Sequence, residues 1–372
     1  PSGGMYHYFL DDGTVFDART RHLVNATRFI ITHAMLFKLT GETRYQAGVR
    51  HAVDFLRKAF RDSATGGYAW MIDWHGGQAT VLDDTRHCYG MAFVMLAYAH
   101  AFKSGVAEAR EWLAETFDLA EKHFWEPAAE LYGDEARADW TLLPYRGQNA
   151  NMHACEAMIY AYSATGERRY IERAETLANA ITRRQAALAN GLIWEHYHQD
   201  WSVDWEYNLH DKTNIYRPWG YQPGHHTEWA KLLLQLDAHL PADWHLPRAE
   251  ELFEAAASRS WDAVHGGLHY GFAPDDSVCD GDKYHWVQAE SFAAAALLGI
   301  RTGKQEYWDW YAKIWDYCWK HFVDHEQGAW FRILDPANLN HTREKSPAGK
   351  VDYHNIGASI DVLRAMGELK GE

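Results

Sequence analysis

An all-α architecture, an (α/α)6 toroid with short hairpins in the loops at one end, is what three features of this sequence predict. Long segments carry apolar residues three and four positions apart, the spacing of one helix face. Between pairs of such segments a glycine turn followed by aromatics returns about every 60 to 75 residues, the length of two helices with their connections. A third signal recurs as TGETRYQ (Thr40–Gln46), TGERRYI (Thr165–Ile171) and TGKQEYW (Thr302–Trp308). In it a glycine ends one helix and a tyrosine covers the apolar face as the next begins. Copies at corresponding places favour a closed ring over an open solenoid. No Pro/Ser-rich linker divides the chain, so residues 1–372 are expected to form a single domain.

Taken in order, helices are expected over Arg21–Leu39 and Glu42–Phe60, then Thr85–Ala101 and Ala107–Phe124. Met152–Ala164 and Arg168–Gln185 form the next pair, followed by His226–Leu236, His285–Arg301, Gln305–Phe322 and Asn355–Met366. The aromatics of Tyr307–Phe322 surround most of that helix, which predicts burial on more than one side. The connecting turns are TGGYAWMIDW near Gly66, ELYGD near Gly133, NGLIWEHY near Gly191, HGGLHYGF near Gly266 and QGAWFRIL near Gly328. Each reads as a turn with a short strand or hairpin between helices. WHGG (Trp74–Gly77) is read as a loop over the mouth of the ring.

The formal net charge of −15 repels phosphate backbones, so nucleic acid is excluded as a partner. No apolar run approaches the ~20 residues that span a bilayer. Four cysteines, Cys88, Cys155, Cys279 and Cys318, lie far apart without a CxxC pair, which fits reduced thiols in a cytoplasmic protein. Aromatic residues make up 15% of the chain. Most fill the core, but faces with polar edges also suit the CH surfaces of sugars.

The polar residues that carry chemistry cluster where helices begin. RGQNANMHACEA (Arg146–Ala157) sets Asn149 four positions ahead of His153, one turn apart on one face. PGHHTEW (Pro223–Trp229) sets His225 three before Glu228, where a carboxylate one turn away can hold the ring and fix its tautomer. VDYHNIG (Val351–Gly357) brings His354 to the last helix. A neutral imidazole, with an ordinary pKa of about 6.5, is the natural proton acceptor near pH 7. Arg28, within apolar VNATRFI, is either a buried structural ion pair or a fork of donors for a sugar or enediolate oxygen. TRHCYGMAF (Thr85–Phe93) offers Arg86 and Tyr89, and YHWVQAES (Tyr284–Ser291) offers Trp286 and Glu290, as groups around the substrate. HEXXH, EF-hand and glycine-rich phosphate motifs are absent, so neither metal nor other cofactor is expected. His196 and His198 of WEHYH alternate as on a strand and are read as lining rather than as ligands.

At these residues the chain resembles the N-acylglucosamine 2-epimerase superfamily, which includes acylglucosamine epimerases, cellobiose 2-epimerases and aldose–ketose isomerases acting on mannose. The resemblance covers nearly the whole chain: Arg28 in the first long helix, NxxxH (Asn149, His153), PGHxxEW (His225, Glu228), WxQAE (Trp286, Glu290) and YHN (His354). It implies an (α/α)6 barrel and metal-free proton transfer through a cis-enediol, with His225 and His354 as the acid/base pair. Where cellobiose epimerases carry an aromatic five residues before the last histidine, this chain has Gly349, which points to the mannose isomerase branch.

The expected enzyme is therefore an isomerase of free monosaccharides, acting as a monomer or homodimer on a small sugar and interconverting mannose and fructose. His354 is assigned the C2 proton and His225, held by Glu228, is its partner, the two roles being exchangeable, and Arg28 stabilises the enediolate oxygen. Asn149, His153, Tyr89, Trp286, Glu290 and Arg86 bind the sugar. A 2-epimerase of acylglucosamine or another sugar is the nearest alternative. An (α/α)6 glycoside hydrolase, which needs two carboxylates flanking the bond, is the distant one.

Overall fold

The computed structural model describes residues 3–368, which are mostly helical. They fall into two compact units: Pro1–Leu177 with Ser346–Tyr353, and Ala178–Lys345 with His354–Glu372.

The first unit contains α1 (Leu23–Thr40), α2 (Thr43–Phe55), α3 (Cys88–Lys103), α4 (Ala109–His123) and α5 (Gln148–Thr165). The chain passes along α6 (Arg168–Asn179) into the second unit, which contains α7 (Pro223–His239), α8 (His245–Ser260), α9 (His285–Thr302), α10 (Gln305–His321) and nearly all of α11 (Tyr353–Ala365). Two helices run on through a π turn, α2 over Leu56–Phe60 and α6 over Ala180–Gln185. In the first unit α1 packs on α2 and α3, and α3 on α4 and α5; in the second, α7 packs on α8 and α9, and α9 on α10.

Burial alternates along the chain. α3, α7 and α9 are buried at nearly every position, whereas α2, α4, α8 and α10 bury one stripe each, such as Leu113, Phe117 and Ala120 in α4. A helix covered on all faces can carry polar groups only if they find partners or line a site. The aromatic helix α10 belongs to the second kind. Tyr307, Ile314, Tyr317 and Cys318 are buried but Trp319 is 55% exposed, so the expected burial on several sides is not seen. Trp308, Trp310, Tyr311 and Trp315 are half-buried against the core, and Lys313 sits 4.0 Å from the Trp261 ring and 4.3 Å from Trp310. α8 is absent from the helices the sequence predicts. Pro247 in its first turn and a narrow stripe of Leu252, Phe253 and Ala256 weaken its signal.

The TG signal is a helix stop. Gly41, Gly166 and Gly303 take left-handed φ of 71°, 72° and 69°, and their N–H groups return to Phe37, Tyr162 and Gly299. The glycine–aromatic turns are equally regular. The N–H groups of Asp62, Asp262 and Asp324 each donate to the carbonyl five positions on, their carbonyls accept from the glycine N–H four positions on, and their carboxylates accept from N–H groups inside the turn. Each carboxylate also meets a buried cation leading to the next helix: Arg86, Lys283 and Lys345 respectively. The strands are short hairpins and pairs; the longest, Met71–His75 with Gln78–Asp83, turns at the Gly76–Gly77 tip of the WHGG segment.

Candidate active site

In the second unit, three helices begin with the residues singled out by sequence. His225 is the third residue of α7, Trp286 the second of α9 and His354 the second of α11. The Trp286 ring packs against both imidazoles, with centroids 5.0 Å from His225 and 5.7 Å from His354. Gly224 makes this possible: a Cβ there would fall 2.5 Å from the Trp286 ring. Behind it, Tyr270 meets Trp286 edge-on at 6.0 Å and stacks on Tyr284 at 3.7 Å.

Each histidine carries a carboxylate on Nδ1. His225 Nδ1 is 2.9 Å from Glu195 Oε1, and His354 Nδ1 is 2.7 Å from Glu290 Oε1. An ionised carboxylate only accepts, so Nδ1 donates and a neutral ring has its lone pair on Nε2. The local spacing assigns Glu228 to His225; the structure gives that place to Glu195, thirty residues away in sequence, just before the short strand His196–Tyr197. His196 itself is committed to the Pro218 carbonyl at 2.8 Å, and burial lowers its pKa. His226, next to His225, is also structural: its Nδ1 sits 2.8 Å from the Gln222 carbonyl and its Nε2 takes the Ile193 N–H, while burial lowers its pKa to about 4.

Glu290 is more central than its sequence context suggests. One oxygen holds His354, and the other lies 2.5 Å from the buried Lys231 ammonium. Glu228, Glu290 and His354 each bring one ligand atom within 4.8 Å of the others, a spacing a metal ion could use. The Lys231 ammonium already places one cation at Glu290 of this set.

In the first unit the remaining candidates gather around Arg28. Its guanidinium donates to the Gly349 carbonyl and to Tyr89 Oη at 3.2 Å, and lies 4.5 Å from the Phe93 ring and 4.8 Å from Tyr353. Asn25, fully buried on the same helix, accepts from Gly349 N at 2.6 Å and donates to the Pro347 and Lys350 carbonyls, so it fixes the loop that holds Arg28. His153 Nδ1 is 2.9 Å from Glu156 Oε2, Tyr353 Oη donates to the other oxygen of Glu156, and Tyr89 packs edge-on to His153 at 5.0 Å. Asn149 Oδ1 is buried without a hydrogen-bond partner among the described residues. Arg86 is a correction. Its guanidinium is buried and pairs with Asp62 at 2.9 Å, so the donors expected to meet a sugar anchor a turn instead.

Sequence spacing pointed to the histidines, Trp286, Glu290 and Arg28 as candidates; Glu195, Glu156, Lys231 and Tyr353, which the structure pairs with them, were not singled out. Glu156 had a local signal, three residues after His153 on one helix face. Glu195 and Lys231 had only unusual settings, an acid between aromatics and a lysine in an apolar helix.

The family model described as N-acylglucosamine 2-epimerase (GlcNAc 2-epimerase) matches residues 4–358. A D-mannose isomerase of Marinomonas mediterranea is 51% identical over 98% of this chain and 92% of its own. A D-mannose isomerase of Thermobifida fusca is 38% identical over 82% of this chain and 76% of its own. A crystal structure of D-mannose isomerase superposes with a TM-score of 0.95 at 50% identity, covering 98% of this chain and 92% of that one.

Proposed function

Because the chain belongs to the N-acylglucosamine 2-epimerase family, we propose that it interconverts D-mannose and D-fructose through a cis-enediol. It is a sugar isomerase or epimerase of free sugars. The observation that carries the reading is the pair of imidazoles, each with a carboxylate on Nδ1 and each packed against Trp286. Such rings are fixed in orientation and tautomer, with Nε2 as the atom that exchanges protons.

On the open-chain aldose, His354 Nε2 takes the C2 proton. The C2–H electron pair becomes the C1=C2 bond, and the carbonyl pair moves onto O1, which His225 protonates. The enediol then gives the O2 proton to His225 while C1 receives the proton held on His354, so both rings are restored and the ketose results. Arg28 is assigned to the oxygen that gathers charge, where its planar fork suits two oxygens. Trp286 offers a ring face to the sugar. Asn149, His153 and Tyr89 are assigned to hydroxyl groups. Glu228 joins the proton-transfer set beside Glu290 and His354 rather than holding His225.

Two carboxylates engaged by imidazoles are poorly placed to serve as the acid and nucleophile of a glycosidase, which disfavours hydrolysis. We further propose that the helix pairs form one (α/α)6 catalytic domain over residues 1–372. The alternation of fully covered and one-sided helices within each unit supports it.

The test is NMR of D-mannose deuterated at C2 with the purified protein, with and without EDTA. Fructose should form with the label lost to water or carried to C1, at the same rate in both samples. His354→Asn and His225→Asn should each lower kcat by about 100-fold or more. Conversion of N-acetylglucosamine to N-acetylmannosamine with none of mannose would move the assignment to the acylglucosamine branch, and a rate abolished by EDTA would sink metal-free transfer.

A further inference from the structure

Lys231 is only 5% exposed, on an α7 turn beyond His225 and Glu228. Lysine is almost never so buried unless its charge is used. Its ammonium lies 2.5 Å from Glu290 Oε2 and 3.8 Å from Asp361 Oδ2, which also accepts from Gln235 Nε2 at 3.1 Å. The other Glu290 oxygen carries His354. Ammonium, carboxylate and imidazole thus form a buried line from α7 through α9 to α11.

The charges around His354 within this unit explain why the line matters. Glu290 touches the ring, Glu228 reaches within 4.8 Å of it, Asp361 stands behind Lys231, and the His285 ring is 6.4 Å away. Carboxylates so close to an imidazole favour its protonated form, and a protonated ring cannot take a proton from carbon. Arg364 meets the other oxygen of Asp361 at 3.6 Å, and Lys231 is the cation placed on Glu290, the carboxylate that touches the ring.

We propose that Lys231 is a positioning residue for the C2 base: its buried ammonium engages Glu290, so that this carboxylate orients His354 without holding it protonated. The inference rests on the reading of His354 as the base. It also separates the two histidines, because His225 and Glu195 are then the pair left to carry the proton donated to O1.

The experiment is the pH dependence of kcat/KM for mannose in Lys231→Met, Lys231→Arg and His354→Asn, with melting temperatures for each. In Lys231→Met the acidic limb should move up by about one pH unit, so that activity falls about ten-fold more on the acidic side than on the alkaline side. Lys231→Arg should return the limb toward wild type. A Lys231→Met limb that does not move, or a loss equal at all pH values, overturns the proposal. His354→Asn decides the underlying reading separately: if it still exchanges the C2 label with solvent, His354 is not the base whatever Lys231 does. Should Lys231→Met fail to fold, Lys231→Met with Glu290→Gln removes both charges. That double variant should place its limb at or below wild type, and an upward shift there also overturns the proposal.

Discussion

An imidazole becomes a directed base only when something fixes which nitrogen faces the substrate, and here Glu195 and Glu290 do so through Nδ1. The prediction at this scale concerns Glu195. Glu195→Gln keeps the shape and can still accept from Nδ1, but removes the charge that stabilises the imidazolium formed in each cycle. We expect kcat to fall by about 10- to 100-fold with KM little changed, and steady-state kinetics on mannose is the check. Wild-type turnover would show that Glu195 only packs against His225. The residues proposed to move protons were readable as candidates because they sit in short motifs at helix starts. Their carboxylates were not, since His225 and Glu195 are separated by 30 positions and His354 and Glu290 by 64. No local period relates such pairs; only packing does, of the segment before the His196–Tyr197 strand against the start of α7 and of α9 against the start of α11. Where the partner was local, as for Glu156 three residues from His153, the spacing was available and the geometry uses it.

Helices were legible because their apolar period is local chemistry, and the glycine stops fell at Gly41, Gly166 and Gly303 as the TG signal requires. Less legible was which helices are covered on all sides, since α10 is richer in aromatics than α7 yet is buried along one stripe. The turns that join helices depend on buried ion pairs, and the turn at Asp262 gives a test. Burial works against its charge, but hydrogen bonds from Lys283 and from the His265 and Val264 N–H groups outweigh that and hold its pKa at about 2. The unfolded chain titrates near 3.9, so this contribution is complete above that value and is lost as pH falls through the folded one. Asp262→Asn should therefore destabilise the protein at neutral pH by about 2 kcal/mol, and the gap should close toward pH 2. Thermal melts of both proteins across this range are the measurement. A gap that stays constant into acid would mean that the turn depends on shape and not on charge.

For the whole molecule, a net charge of −15 means that ionising one more buried carboxylate brings no compensating attraction from the protein at large. Asp280 is the case to examine. It is 3% exposed, one oxygen accepts from Asp282 N at 3.0 Å, and the other has no hydrogen-bond partner among the described residues. Burial pushes its pKa up to about 6. The sign is opposite to that of Asp262. With the folded value raised above the unfolded one, the folded state binds the proton more tightly, and stability declines as pH rises from about 4 to about 6 and stays lower beyond. A shift of this size corresponds to a penalty on the order of 2 to 3 kcal/mol. Asp280→Asn cannot ionise and keeps an oxygen for Asp282 N, although its new N–H2 group must find an acceptor. At pH 8 the variant should melt higher by about 2 to 4 °C for a chain of this length, and at pH 4 it should melt no higher than wild type. Equal differences at the two pH values would mean that the amide changes packing alone and that the buried charge is already compensated.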